Sequence, residues 1–388
     1  MARPLAVPAA HLDAEAPGAF IGSIQDQHLV YFLCNVGDAD AQLLVLPRDP
    51  STGVRRVIIV DAGRNDKLPS LLRALMAVGL FPTDQAPEEE RDGSIALIVA
   101  THPHLDHVRG LPQVLHQFGK RVAELWDPGY FHTLPEYHDM MREVEQLPDL
   151  QYSQPTSGFR RFIGNVAVTT LSPSVLLRNR FDTYGTEIND ASISLRLEFP
   201  ATRVIQRNAD RSYVKKPSTN ALVLGADAQT LSWSYVMTDF PYLPASNTAA
   251  AKAIGGATGT DLLRAQVLKV SHHGSKHGVN LELVERVQPM FTLVSSVASG
   301  GQYGFPHDVA QELIREALEA VASGRKTRSS DWQLGLFYTG DEDDADPGVD
   351  LGSIAVVMSS TSSTLWRFGD GPGQAIDFDT GRRWKPQL

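Results

Sequence analysis

Cysteine is almost missing from this chain. Cys34 is the only one in 388 residues, so no internal disulfide framework can form, and a reducing compartment is the simplest home. Basic charge is also short: 35 Lys and Arg stand against 45 Asp and Glu, a formal net charge of -10. That balance argues against a protein that coats nucleic acid with a broad basic surface, while leaving room for a local basic groove. No apolar run approaches membrane-spanning length. The N-terminus has one Arg and only Leu5-Ala6-Val7 before Pro8, too short for the apolar core of a signal peptide. The expectation is a cytoplasmic protein without membrane contact. A hydrophobic content of 42% is ample for a sizeable core. Residues 1–27 read as a loosely ordered leader, and 28–388 as a single domain with insertions at about 127–160 and 201–217.

What the chain does have is a histidine cluster at a strand end. Ile95-Ala96-Leu97-Ile98-Val99-Ala100 reads as a buried strand, and Thr101-His102-Pro103-His104-Leu105-Asp106-His107 follows it directly. Three imidazoles and one carboxylate within so few positions have little use other than metal. A histidine-rich surface loop is the bland alternative, and the placement directly after a strand weighs against it. In a segment that turns from extended to helical, His102 and His104 point one way while Asp106 and His107 turn back, so two adjacent cations can be served. The mixed nitrogen and oxygen donors suit zinc or manganese.

Other strand ends repeat the theme. Leu29 to Gly37 and Gln42 to Leu46 predict a hairpin, and Val57 to Val60 a strand ending in Asp61-Ala62-Gly63. Ala221 to Leu224 delivers Asp227, and Val267 to Val270 delivers His272-His273. Strands and helices alternate in both halves, as expected of two sheets sandwiched between helices. Three strand ends thus present metal-type ligands, too many and too scattered for a closed structural zinc site. Asp227 is the natural bridge between two cations. A water shared by them would give hydroxide near neutral pH.

The order of these pieces resembles the metallo-β-lactamase superfamily, and more narrowly the soluble relatives of the hydrolase domain of the competence DNA-uptake channel ComEC. Phe32 to Ala41 is similar to that family's opening L-D-V-G-q-G-D-a, Val60 to Gly63 to its D-x-G, and Thr101 to His107 to the superfamily signature. Asn189-Asp190-Ala191-Ser192, Leu224 to Asp227, Leu268 to Ser275 and Tyr303 to His307 resemble its N-x-x-S, l-x-G-D, L-K-v-x-H-H-G-S and Y-G-H-P-h. The resemblance implies an αββα four-layer sandwich of the metallo-β-lactamase type, two divalent ions, zinc or else manganese, and a hydrolase.

Two departures follow. Many superfamily members complete the first metal site with a histidine near Leu171 to Asp190, where this chain offers only Asn189 and Asp190, with His116, His132 and His138 as alternatives elsewhere. Phe305 stands where the similar pattern has histidine, which shifts attention to His307.

The expected metal set is His102, His104, Asp106, His107, Asp227 and His272, with Asn189 or Asp190 in the first site. His272 is preferred over His273 because it leaves the strand first, and His273 then serves as a proton donor. Asp106, Asp227 and His273 form the expected catalytic set. Asp61 is expected to orient Asp106 or His107 and His307 to support the site from behind. Lys276 and His277 are candidates to meet an anionic substrate, and Asp38 and Asp40 read as turn residues. The expected function is hydrolysis of a phosphodiester or other phosphoester, on a nucleotide or short nucleic acid; the basic stretch Arg203 to Lys216 reads as a solvated loop, with a nucleic-acid contact as the alternative. The alternatives are a lactone, thioester or amide hydrolase and a non-catalytic scaffold or sensor; protein partners are not indicated.

Overall fold

Buried β-branched runs cannot satisfy their backbone groups alone, and here they pair into two large sheets. A computed structural model of the chain describes residues 11–130, 132–180, 187–201, 219–243, 260–296, 303–321, 330–343 and 346–385. Among these, the first sheet runs His11–Ala14, Arg382–Lys385, Ser363–Arg367, Ile354–Met358, Leu29–Leu33, Ala41–Val45, Val57–Ala62, Ile95–Val99, Glu124–Trp126 and Gln151–Ser153. The second runs Leu336–Tyr338, Phe291–Val294, Val267–Lys269, Asn220–Leu224, Ser194–Phe199, Val166–Ser172 and Arg160–Ile163.

Residues in the central strands alternate between two buried faces, which creates the layers. Leu29, Tyr31 and Leu33 join Leu195, Leu222, Phe291 and Phe337 in an apolar cluster between the sheets. Val30 and Phe32 point the other way, against Leu68, Leu72, Leu111 and Leu115 of the helices Lys67–Ala77 and Leu111–Phe118. On the far side, Val223 and Leu268 pack on Trp233, Leu283, Ile314 and Leu318 of three further helices. Helix, sheet, sheet, helix is the expected four-layer stack.

The strands that carry the site residues run parallel to one another within each sheet. Val57–Ala62 lies parallel to Ile95–Val99, while Asn220–Leu224, Val267–Lys269 and Phe291–Val294 are parallel to one another. Their carboxyl ends therefore open on the same edge of the sandwich, where such folds place their ligands.

The leader expected over 1–27 needs correction from His11 onward. His11–Ala14 is the edge strand of the first sheet, in register from His11 opposite Lys385 to Ala14 opposite Arg382. Phe20 is only 1% exposed, with its ring 5.4 Å from Trp366 and 4.9 Å from Phe368. The partners lie at the other end of the chain, where no local pattern reports them. The insertion near 127–160 holds the helix Pro135–Glu145 and the strand Gln151–Ser153. The basic stretch Arg203 to Lys216, and with it nearly all of the 201–217 insertion, lies outside the described residues.

Phe20→Ala removes a ring packed against four other aromatics, Phe32, Trp366, Phe368 and Phe378, and should cost about 3–5 kcal/mol, read as a lower urea midpoint at unchanged slope. An unchanged midpoint would mean that this segment does not pack on the sheet.

Candidate metal centre

Thr101 follows the Ile95–Val99 strand, and the chain then turns so that His107 falls in the short helix Leu105–Val108. Gly63 permits this turn to come close: a Cβ there would lie 2.1 Å from the Asp106 carbonyl oxygen. The result is three overlapping groups of ligand atoms: Asp106, His107, Asp227 and His273; His102, His104 and Asp227; and Asp40, Asp61 and His107.

Hydrogen bonds behind these groups fix the imidazole tautomers. Asp61 accepts from the Thr101 backbone N–H at 2.8 Å and from Thr101 Oγ1 at 2.7 Å, and its Oδ2 lies 2.7 Å from His107 Nδ1. A carboxylate facing Nδ1 keeps the proton there and leaves Nε2 as a lone pair. With its own hydrogen given to Asp61, Thr101 Oγ1 accepts from His102 Nδ1 at 3.1 Å, which sets His102 the same way. His273 Nδ1 donates to the Ser295 carbonyl at 2.9 Å. All three histidines thus turn Nε2 lone pairs inward.

Those lone pairs meet carboxylate oxygens. His107 Nε2 lies 3.2 Å from Asp227 Oδ1 and 3.7 Å from Asp106 Oδ2, and His273 Nε2 lies 3.4 Å from Asp106 Oδ2. His102 Nε2 lies 3.7 Å from Asp227 Oδ2 and 3.1 Å from His104 Nδ1. His107 Nε2, His273 Nε2 and Asp227 Oδ1 are buried without a hydrogen-bond partner. Acceptors converging on acceptors require a cation between them, a proton or a metal ion, and this donor set fits divalent metal.

The electrostatics agree. Burial opposes charge on His107, yet the carboxylates of Asp227, Asp61 and Asp106 outweigh it and hold the imidazole well above its ordinary range. Burial likewise opposes charge on Asp227, and the neighbouring histidines, His107 first, hold it well below the usual carboxylate range. His102, by contrast, is pushed well below the imidazole range, by burial first and His107 next.

The third group is already neutralised by protein. Lys269, fully buried, donates its ammonium to Asp40 Oδ2, and Ser295 Oγ donates to Asp40 Oδ1. Asp40 is therefore no turn residue of the hairpin, contrary to expectation. Its carboxylate lies about 4 Å behind two ligand histidines, 4.0 Å from His107 Nδ1 and 3.9 Å from His273 Nδ1. The sequence signal for this pair was a lysine inside the buried strand Val267–Lys269. Asp38 accepts from Ser296 Oγ at 2.7 Å and so ties its loop to the second sheet.

The remaining expectations divide. His273, not His272, stands in the group with Asp106 and His107, and it is 1% exposed. Asp190 turns away: its Oδ1 accepts from the Ser232 backbone N–H at 3.1 Å and hydroxyl at 3.0 Å. Asn189 Oδ1 is buried without a hydrogen-bond partner. His307 Nδ1 accepts from the Lys276 backbone N–H at 3.0 Å and its own N–H reaches the Gly274 carbonyl, so it braces the histidine loop. Lys276 and His277 are exposed on that loop. The His132 ring lies 6.5 Å from His104, whereas His116 pairs at the surface with Glu143.

A family model described as the metallo-beta-lactamase superfamily matches residues 52–183. No curated protein sequence matches the chain. Among solved structures, the metallo-beta-lactamase fold protein YhfI from Bacillus subtilis is 11% identical with a TM-score of 0.36, over 80% of this chain and 96% of that one. A long form RNase Z from yeast is 14% identical with a TM-score of 0.34, over 74% of this chain and 40% of that one. A diphosphatase from the PhnP family is 10% identical with a TM-score of 0.32, over 74% and 91%. Likenesses of this size carry no argument about activity. The four-layer stack and the family match make the fold the metallo-β-lactamase fold.

Lys269→Met should cost about 3–5 kcal/mol by leaving Asp40 buried and unpaired, and Asp40→Asn added to it should restore part of the loss. Burial alone would raise the Asp40 pKa, but Lys269, His273 and His107 together outweigh it and lower it, Lys269 contributing most. The stabilisation from ionised Asp40 is therefore present above the unfolded value near 3.8 and is lost as pH falls through the lower folded value. Urea midpoints between pH 3 and 7 should fall less steeply on the acid side in the double variant; equal slopes would remove the pair from the acid limb.

Proposed function

We propose that the chain is a metal-dependent hydrolase of phosphoesters, a nucleotide or short nucleic acid being the preferred substrate. One observation carries the reading: the two oxygens of Asp227 face different ligand groups, Oδ1 toward His107 and Oδ2 toward His102. In this reading His102, His104 and Asp227 hold one ion, and Asp106, His107, His273 and Asp227 hold the other. When bound, such a pair of divalent ions lowers the pKa of a shared water and withdraws charge from the oxygens of the scissile group.

The chain's own residues do the rest. Asp61 and Thr101 hold His107 and His102 in the tautomers that present Nε2, and Ser295 does so for His273. Asp106, whose side chain is 34% exposed, marks the open side from which substrate arrives.

Charge favours an anionic substrate over a neutral lactone or amide. Four carboxylates, Asp40, Asp61, Asp106 and Asp227, share the centre with one ammonium, Lys269. Two divalent ions would offset that excess of negative charge and present cations to the oxygens of a phosphoester. The resemblance of the motif order to that of the competence-channel hydrolase domain points to the same substrate class. The reducing home inferred from the single cysteine is consistent with burial, which pushes the Cys34 thiol up to about 12 and leaves it unreactive. Among the described residues no helix is long and apolar enough to cross a membrane.

Purified protein loaded with zinc or manganese should cleave bis(p-nitrophenyl) phosphate faster than p-nitrophenyl acetate, and chelation should abolish the activity reversibly. Asp227→Ala should lower the content of both ions and reduce kcat by about 100-fold or more. An Asp227→Ala protein with the parent's metal content would refute the bridge, and preference for the carboxylic ester would refute the phosphoester assignment.

A further inference from the structure

The two ligand groups are unequal. The group around Asp106 has four members and the group around His102 only three, which leaves room there for one further protein donor beside the shared water. We infer that His272 supplies it, so that the adjacent histidines 272 and 273 divide between the two ions, one on each side of Asp227. The inference rests on the two-ion reading above.

The geometry around Asp227 is paired. His102 Nε2 and His272 Nε2 each lie 3.7 Å from Asp227 Oδ2. His107 Nε2 and His273 Nε2 lie 3.2 and 3.8 Å from Asp227 Oδ1. One carboxylate oxygen is thus flanked by His102 and His272, and the other by His107 and His273.

Adjacent residues in a strand point to opposite faces, so an extended chain could not bring both imidazoles to one carboxylate. Here the backbone adopts the left-handed region at both positions, φ 49° and ψ 48° at His272, φ 51° and ψ 25° at His273. Such a turn rotates the second side chain by part of a circle instead of reversing it. Two consecutive non-glycine residues in that region are unfavourable and persist only when their surroundings impose them. The surroundings do so: the His272 N–H donates to the Ala226 carbonyl at 2.8 Å, and the His272 carbonyl accepts from Ser275 N–H at 2.7 Å. Gly278 completes the enclosure, since a Cβ there would lie 2.7 Å from the Ser271 carbonyl oxygen and 3.0 Å from the His272 Cβ.

His272 is also less supported than His102, His107 and His273. Its Nδ1 is buried without a partner, and the ring of Phe305 lies 5.2 Å away. A ligand imidazole without a hydrogen bond behind it is a weaker base and less firmly oriented. The ion beside His102 should therefore be the more readily exchanged of the two.

Titration of the metal-free full-length chain with cobalt(II), followed by visible absorption and by metal counting after gel filtration, tests the assignment without any substrate. The parent should take up two cobalt ions of unequal affinity. His272→Ala should weaken one of them by roughly 100-fold or more, the same ion that His104→Ala weakens, and leave the ion that depends on His273. His272→Asn, which tolerates the left-handed backbone, should do likewise and guards against misfolding of the alanine variant. The doubly substituted His104→Ala, His272→Ala chain should lose no more than that one ion. Retention of both cobalt ions at parental affinity in His272→Ala and His272→Asn would overturn the assignment while leaving the two-ion reading intact, as would loss of the His273-dependent ion instead. A parent chain that binds no cobalt would overturn both.

Discussion

The constraint on which this site depends is negative charge enclosed in protein. Asp40, Asp61 and Asp227 are each no more than 1% exposed and lie within one cluster that also contains Asp106. Removing a carboxylate from water costs several kcal/mol unless an opposite charge or several hydrogen bonds replace the solvent. Each acid has a different solution. Asp40 has the Lys269 ammonium and the Ser295 hydroxyl, and Asp61 has Thr101 twice and His107 once. Asp106 and Asp227 have only imidazoles, which can answer with protons or can give those protons up and share a divalent ion with the carboxylates. Protons and metal therefore compete for the same lone pairs, and metal affinity must rise as those protons leave.

This division explains why the acids nearest the sheets are neutralised by protein while those nearest the opening are not. Lys269 and Asp40 are fully buried between the sheets and cannot exchange their partner. Asp106 reaches the surface and Asp227 joins the two ligand groups. The inner pair holds the backbone from which the outer pair works: the Asp40 N–H donates to the Asp106 carbonyl at 3.0 Å, and the Asp40 carbonyl accepts from Gly63 at 2.7 Å. The loop carrying Asp106 is in this way clamped to the first sheet by a residue whose charge is settled in the second.

Local features of this arrangement were legible in the sequence, and long-range ones were not. The buried runs Val57 to Val60, Ile95 to Val99 and Val267 to Lys269 gave strands because apolar continuity is a local property. The His102 to His107 cluster was visible because its ligands lie within six positions. Asp40 was misread because its partner Lys269 stands 229 positions away. Asp190 looked like a ligand by its place in a motif, and only the fold shows that the start of the helix Thr230–Asp239 claims its carboxylate through Ser232. The choice between His272 and His273 could not be made from order along the chain, since it depends on a left-handed turn that strand periodicity does not predict. His11–Ala14 was read as leader for the same reason: the strand that covers it lies at Arg382–Lys385.

The placement of the ligands also ties metal to the integrity of the whole sandwich. His102, His104, Asp106 and His107 follow a strand of the first sheet, while Asp227, His272 and His273 follow strands of the second. Between the sheets the apolar cluster of Leu29, Tyr31, Leu195 and Leu222 holds them face to face, and it is indifferent to small sliding motions because apolar contact has no fixed direction. Ligands have direction. An ion held from both sheets fixes their relative position at one edge, and binding that requires the docked arrangement stabilises it by mass action, about 2.7 kcal/mol at a free concentration one hundred times Kd. The apolar interior brings the sheets together, the Lys269–Asp40 pair sets the floor of the cleft between their ends, and the ligand histidines convert that approximate docking into a defined distance between Asp227 and the His102 to His107 loop.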